Sequence, residues 1–341
     1  MKTHRWIHLG AVTGVLAFGS VATPNARHLA AADAQPSGRT LDERVTRTFE
    51  VGANGQFDLS NVTGSVIVRG VPGSTITIDA TKHASANGDA REALDGLVLD
   101  FSQRGDRIVV SVRHERGSRR RRAWVDFTVT VPTSTGVTVG SVSGDVEARD
   151  VGGELSVEVV SGDVDIVNAG QLARAKSVSG RVRIDTARAE RTAIIGSVSG
   201  DVFASGLHAD RLEVETVSGE LELRDTTCSR LEVSTVSGDV EFQGPMQADG
   251  RYEFRSHSGD VTIVLSGDTG FDLTGDTYSG SFEFDMPVTL LGNRSDRDDR
   301  DRDRSNRDGS GRGRSVRGTY GDGSARLEIA TFSGDVSIRR N

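Results

Sequence analysis

The chain has 341 residues with a net charge of −8, and it contains 41 Gly, 6 Pro and a single Cys. One cysteine excludes an intrachain disulfide framework and a thiolate-built structural zinc site. The acidic balance argues against a nucleic-acid binder, whose phosphate contacts need a basic face.

The N-terminus reads as an export signal. Lys2, His4 and Arg5 precede an apolar stretch from Ile7 to Ala22 that is too short and too rich in Gly and Ser for a membrane span. Residues 1–34 are expected to be a leader cleaved after Ala22 (Ser20-Val21-Ala22) or after Ala34 (Ala32-Asp33-Ala34), with an uncleaved anchor as the alternative. No cysteine follows the apolar region to carry a lipid, and no later segment is apolar enough to span a bilayer. Removal of the leader takes the charge to about −10.

Residues 40–135 are expected to form N-terminal coils and a β cap. Strands with period-2 alternation are read at Ser74–Asp79, Arg107–Val112 and Trp124–Val129. The last two flank Glu115–Arg122, which holds Arg116 and Arg119 to Arg122, and are read as a hairpin with a basic loop. One short helix is expected within Ala84–Leu97, capped by Asn87 or Asp89.

Residues 136–341 are dominated by a repeat. Ser-Gly-Asp-Val or a close variant recurs with its glycine at 144, 162, 180, 200, 219, 238, 259, 280 and 334, at gaps of 18, 18, 20, 19, 19, 21, 21 and 54. Removing about 33 residues from the last gap restores the period. A degenerate copy, Asn61-Val62-Thr63-Gly64-Ser65-Val66, lies upstream. In Leu212–Leu223 apolar and charged residues alternate up to the Ser-Gly step and again after it, as a strand does with one buried and one wet face. Gly144, Gly162, Gly180, Gly200, Gly219, Gly238, Gly259, Gly280 and Gly334 are expected to be structural corners, since glycine accepts positive φ. A looser corner falls at segments such as Asp150–Gly153 and Asp225–Thr227, with the lone Cys228 beside it and expected to be dispensable.

One such strand pair cannot bury its apolar face alone, whereas stacked identical units can. A chain of antiparallel hairpins is the alternative stacking. One constant corner and one of variable length favour an all-β, parallel β-solenoid (β-helix-like) of about ten coils of 18–21 residues, with a more irregular N-terminal β cap. The charged C-terminus Ser337–Asn341 is expected to blunt an exposed edge.

Multiplied Val-Ser-Gly-Asp-Val motifs behind a signal peptide resemble a bacterial adhesin-like family of domains of unknown function, over roughly Val45 to Ile338. The resemblance implies a parallel β-helix-like fold, an envelope or extracellular location, and no catalytic residues.

The search for chemistry agrees with that implication. No two histidines outside the leader have ligand spacing, and there is no phosphate-binding loop. Gly196-Ser197-Val198-Ser199-Gly200 has Val where a nucleophile elbow needs Ser. No catalytic residue, cofactor or established metal site is read from the chain. Asp145, Asp163, Asp201, Asp239, Asp260 and Asp335, with Glu220 as a variant, share one repeat position. Stacked, they would form either a cation-binding ladder, with Ca²⁺ as the candidate, or a solvated column whose carboxylates take local backbone donors. Arg181 and Ser281 interrupt the column, which favours the second reading.

The function expected is therefore an exported, non-enzymatic β-solenoid in the periplasm, on the outer surface or outside the cell. It would act as a binding or scaffold module for an unidentified envelope polymer or protein. The alternative is a β-helix polysaccharide lyase or hydrolase, which would need a non-repeating acid/base cluster and aromatic sugar platforms. Residues 293–318, with nine Arg, six Asp and no aliphatic residue except Val316, are expected to be a disordered spacer between coils, or an arm for anionic polymers.

Overall fold

The computed structural model describes residues 40–85, 89–115, 123–291 and 314–341. The leader, Asn87, the arginines of the 116–122 loop and residues 293–313 of the insertion lie outside them. All described residues belong to one compact unit, Gly38–Asn341.

The described residues form twenty-five strands and one short helix. The strand Glu154–Ser161 shows how a coil is built. Leu155, Val157 and Val159 are buried, while Ser156 and Glu158 point outward. It pairs in parallel with Gly136–Ser143 on one side and Gln171–Ser179 on the other, Val157 lying opposite Val139 and Ala175. The second strand, Val164–Ala169, repeats the pattern between Val146–Arg149 and Val182–Ser199. Like residues thus stack on like, and their inward rows merge into one continuous apolar core. Each fully buried Val, Leu or Ile contributes roughly 1.5–3 kcal/mol.

The Ser-Gly corner requires glycine for two separate reasons. Gly162 has φ 149° and Gly219 has φ 139°, and the rest of the column except Gly280 is similar. That region of backbone space is almost confined to glycine. A Cβ on any glycine of the column would also run into the carbonyl oxygen of the glycine stacked below it: Gly162 meets Gly144, Gly219 meets Gly200, Gly238 meets Gly219. Gly280 keeps the close approach, to Gly334, without the positive φ. The inter-coil ladder continues through the corner. Gly144 N–H donates to Ser161 O at 2.9 Å and Val146 N–H to Asp163 O at 2.9 Å.

The second corner uses single left-handed residues: Asp150, Asn168, Thr186, Gly206 and Asp225, with φ from 48° to 65°. Asn and Asp tolerate this region. Asn168 Nδ2 donates to Asp150 Oδ1 in the neighbouring coil at 2.7 Å.

Stack order departs from chain order at both ends. Gln56–Thr63 pairs with Arg107–His114 on one side and Gly136–Ser143 on the other. Val66–Val71 likewise lies between Ala123–Pro132 and Val146–Arg149. The layer 107–132 is therefore outermost, and the earlier segment 56–71 lies beneath it. At the far end Ala325–Ser333 is inserted between Arg251–Ser258 and Phe271–Ser279, and Val336–Arg340 between Val261–Leu265 and Phe282–Phe284. Among the described residues the pairings make eleven layers, 107–132 at one end and 271–284 at the other.

Three expectations change in consequence. Arg107–His114 and Ala123–Pro132 do not form a hairpin, because they enter different faces of the outermost layer; the hairpin is Leu97–Arg104 with Arg107–His114. Ser337–Asn341 is not the end of the stack, since Val336–Arg340 has a neighbour on each side. The 293–318 insertion also does not extend to 318. Arg314–Tyr320 is a strand, antiparallel to Phe271–Ser279, and it covers the outer side of the last layer.

The opposite end is covered by antiparallel strands too. Thr75–Ser85 lies on Ala123–Pro132, and Thr40–Glu50 lies on Thr75–Ser85. The helix Ala90–Asp95 buries Ala93 and Leu94 there; Asp89 sits at its cap position without a side-chain capping bond. His83 ties these strands together, its ring nitrogens lying 2.8 Å from Asp42 Oδ1 and 3.1 Å from Asp126 Oδ2, with the ring stacked on Trp124.

Candidate binding face

Most coils expose one apolar residue where the chemistry of the alternation is inverted. In Leu212–Val217 the pleat runs inward at Leu212, Val214 and Thr216 and outward at Glu213, Glu215 and Val217. The polar residue is inside and the apolar one outside. In two coils the inward hydroxyl serves the tight corner, Ser177 Oγ donating to Gly162 O and Ser197 Oγ to Gly180 O, both at 2.9 Å, whereas the hydroxyls of Ser141, Thr216, Thr235, Thr277 and Thr331 are buried without a hydrogen-bond partner. The outward side chain has no partner in its own coil.

Stacking turns this position into a ladder. Val142, Val160, Val178, Val198, Val217 and Val236 occupy successive rungs, each 45–52% exposed. His257, Phe332 and Tyr278 continue it. Their rings stack face to face, His257 on Phe332 and Phe332 on Tyr278, each with centroids 4.9 Å apart. The aromatic order follows the inserted coil and not the chain. A shallow groove of about 610 Å³ lies beside the rings, edged by Arg255, Asp276 and Arg314. A contiguous exposed apolar strip of this kind marks an interaction surface.

The two flanks of the ladder differ in charge. On the side of the strand that leads into the corner, acids and bases are paired: Glu158 with Arg174 at 3.0 Å, Glu215 with Lys176 at 3.2 Å, and Glu232 with Arg211 and Arg255, each at 3.3 Å. On the corner side stands the Asp column. Asp145, Asp163, Asp201, Asp239 and Asp260 are brought into one row, each exposed or half-exposed. Among the described residues of that row, Asp163 has an ion pair, with Arg181 at 3.7 Å.

The column also performs a backbone task. The amide between the paired Gly and Val positions is left over from the inter-coil ladder, and the carboxylate one coil below accepts it. Asp163 N–H donates to Asp145 Oδ1 at 2.9 Å, Arg181 N–H to Asp163 Oδ1 at 2.8 Å, Glu220 N–H to Asp201 Oδ1 at 3.0 Å and Asp260 N–H to Asp239 Oδ1 at 2.9 Å. Asp335 N–H donates to Asp260 Oδ1 at 2.8 Å. Ser281 closes the series by giving both its hydroxyl and its amide to Asp335, which holds that carboxyl below the usual carboxylate range. Among the described residues no group of three or more His, Cys, Asp or Glu side chains is placed to hold a metal ion.

Cys228 is not a loose corner residue. It is fully buried, and desolvation pushes its thiol up to about 12. Beside it Tyr252, also fully buried, donates its hydroxyl to Cys228 O at 2.7 Å and accepts from Gln247 N–H at 2.8 Å. Burial raises that phenol to about 12 as well.

The sequence reading missed the ladder, although its signal was present: a small polar residue in the inward phase followed by Val in the outward phase, just before Ser-Gly.

Several solved structures are similar in outline at low identity. A "putative lipid binding protein" from Parabacteroides distasonis aligns over 87% of this chain and 96% of its own, at 8% identity and a TM-score of 0.41. A "putative adhesin" from Bacteroides fragilis aligns over 88% and 97%, at 14% identity and a TM-score of 0.37. A second "putative adhesin", also from Parabacteroides distasonis, aligns over 65% and 96%, at 13% identity and a TM-score of 0.34. No curated protein matches the chain. Among the described residues no helix is long and apolar enough to cross a membrane. The family model of Toastrack DUF4097 matches residues 71–339, and the chain belongs to that family.

Proposed function

We propose that this protein is an exported, non-enzymatic binding or scaffold module of the bacterial envelope, and that it binds through the apolar ladder. The observation that carries the reading is the ladder itself: six equivalent valines and a file of aromatic rings held outward at fixed spacing on a rigid parallel stack. Repetition multiplies one weak apolar contact into an extended surface, which suits a polymer or protein partner better than a small substrate. The charged and apolar leader of residues 1–34 supports export.

Two measurements test this reading. A tagged full chain should leave the cytoplasm and lose its N-terminus after residue 22 or 34; retention of the intact chain in the cytoplasm would refute export. Purified protein should bind isolated envelope fragments, and Val160→Ser/Val198→Ser/Val236→Ser should weaken binding about tenfold with an unchanged circular dichroism spectrum. Equal binding by the variant would remove the ladder from the function. Turnover of a polysaccharide that one substitution abolishes would restore the enzyme reading.

A further inference from the structure

Resting on that reading of the ladder, we infer that its occupant is a basic amphipathic helix presented by another protein. Charge, partner exclusion and spacing lead there in turn.

The acidic row lies three residues along the chain from the ladder, so the two run within about 10 Å of each other. On the other flank Glu158, Glu213, Glu215, Glu232 and Glu253 are all ion-paired, sharing Arg174, Lys176, Arg211 and Arg255, whereas the corner side presents Asp145, Asp163, Asp201, Glu220, Asp239 and Asp260 against the single interruption of Arg181. Each of the five aspartates gives one oxygen to a backbone amide, which leaves its charge in place. A partner lying on the valines therefore meets negative charge along one side, and complementarity asks for Lys or Arg there.

The same row disfavours two other occupants. A second copy of this chain brings the same acidic row and a net charge of −8. An anionic membrane surface repels it likewise.

Spacing selects the conformation of the partner. Rungs of a parallel stack repeat at about 4.8 Å, helix turns at about 5.4 Å, and like-facing residues of an extended strand at about 6.7 Å. Over the five steps from Val142 to Val236 a helix drifts by about 3 Å, less than one rung, whereas a strand drifts by about 10 Å, two rungs. A helix laid along the ladder keeps its apolar turns in step with the valines, and roughly 16 residues cover the six of them. Apolar residues at i, i+3, i+4 and i+7 would contact the ladder while basic residues on one edge meet the aspartates.

The test uses the full-length protein and fluorescent synthetic peptides of about 18 residues, with binding read by fluorescence anisotropy. A Leu/Lys amphipathic helix should bind at least about tenfold tighter than the same helix with Glu for Lys, and about 0.5 M salt should remove most of that preference. A proline-broken isomer of the Leu/Lys peptide should bind several-fold more weakly.

Two sets of variants separate the causes. The quadruple variant Asp163→Asn, Asp201→Asn, Asp239→Asn and Asp260→Asn keeps an oxygen to accept each amide and removes the carboxylate charge. It should weaken the Leu/Lys peptide about tenfold and leave the Leu/Glu peptide unaffected. Val160→Ser/Val198→Ser/Val236→Ser should weaken both. Equal binding of the two helices, indifference to the aspartate variant, or full binding by the proline isomer overturns the basic helix and leaves the ladder standing. Indifference to the valine variant overturns both. Sedimentation showing a dimer that the valine variant dissociates would give the face to a second copy. Co-sedimentation with phosphatidylglycerol vesicles, lost in that variant, would give it to a membrane; either result overturns the proposal.

Discussion

The two corners of each coil reverse the chain by different means, and their sequences diverge accordingly. At the tight corner the backbone takes φ near 140° at every copy but Gly280, and at every copy the Cα lies against the carbonyl of the coil below, so each corner position from 144 to 334 is glycine. At the second corner φ lies near 55° and the position holds Asp, Asn, Thr or Gly. The first corner is constrained by its own geometry and by its neighbour, the second by its own geometry alone. The left-handed residue nevertheless keeps a constant place, six residues after the tight-corner glycine at 150, 168, 186, 206 and 225, and the register shifts fall beyond it, at Leu155/Ser156 and Ala189/Thr192.

The contrast is sharpest at Gly219. Gly219→Ala should cost at least about 4 kcal/mol by denaturant unfolding, because the strained φ and the blocked Cβ path add; Gly219→Val should be worse still. A cost under about 1 kcal/mol would mean that the corner can open and that the two corners are equivalent.

Next in size are the buried groups beside the second corner. Tyr252→Phe removes the hydroxyl that serves both Cys228 O and Gln247 N–H, and should cost about 1–3 kcal/mol. Cys228→Ser places a hydroxyl in an apolar site and should cost a similar amount, about 1–3 kcal/mol. Both native groups titrate near 12. Their folded values are raised, so the stability they contribute is complete below their ordinary ranges and is lost as pH climbs toward 12. Melting curves from pH 8 to 12 should fall less steeply in Tyr252→Phe.

Thr186 gives an effect of opposite sign. A β-branched residue at φ 59° is strained. Thr186→Gly should therefore raise stability by up to about 1 kcal/mol at this corner, where the reverse exchange at the tight corner is ruinous. A loss of stability would place the Thr186 hydroxyl, 3.3 Å from Asp185 Oδ1, among the groups that hold the turn.

The smallest effect is that of the carboxylate at the end of the Asp column. The Asp335 carboxyl is lowered by the Ser281 hydroxyl and amide. Its contribution is present above the ordinary carboxylate range and is lost as pH falls through its lowered value. Ser281→Ala should leave the melting temperature at pH 7 slightly lower and the acid limb shallower. An unchanged acid limb would mean that the Ser281 amide alone sets the shift.

Much of this was legible in the sequence because one physical rule repeats. Alternation about Ser-Gly in copies such as Leu212–Leu223 and Leu231–Phe242 called for stacked strands, one constant corner beside one of variable length favoured the parallel stack over antiparallel hairpins, and glycine at the step marked the corner. The exchanged order at the ends was not legible. Interchangeable coils satisfy the same inward row, so nothing in the motif says that Leu327 stacks on Tyr252 and not on Leu273 alone. Cys228 was misplaced because the inward phase restarts after the second corner: Thr226 and Cys228 are both inward before Leu231 resumes the row. The valine ladder was visible but was absorbed into the motif as a spelling and not recognised as a surface.

The inserted last coil also sets a timetable. A ribosome delivers Phe271–Phe284 before Ala325–Arg340, yet the earlier segment has its parallel neighbour only in the later one. The 271–284 layer therefore waits, with Phe271, Leu273 and Phe282 lacking the neighbour that packs them, until Ala325–Arg340 has been made. Completion of the stack is thus tied to synthesis of that later segment, and a chain truncated before Ala325 leaves this end of the solenoid unsealed.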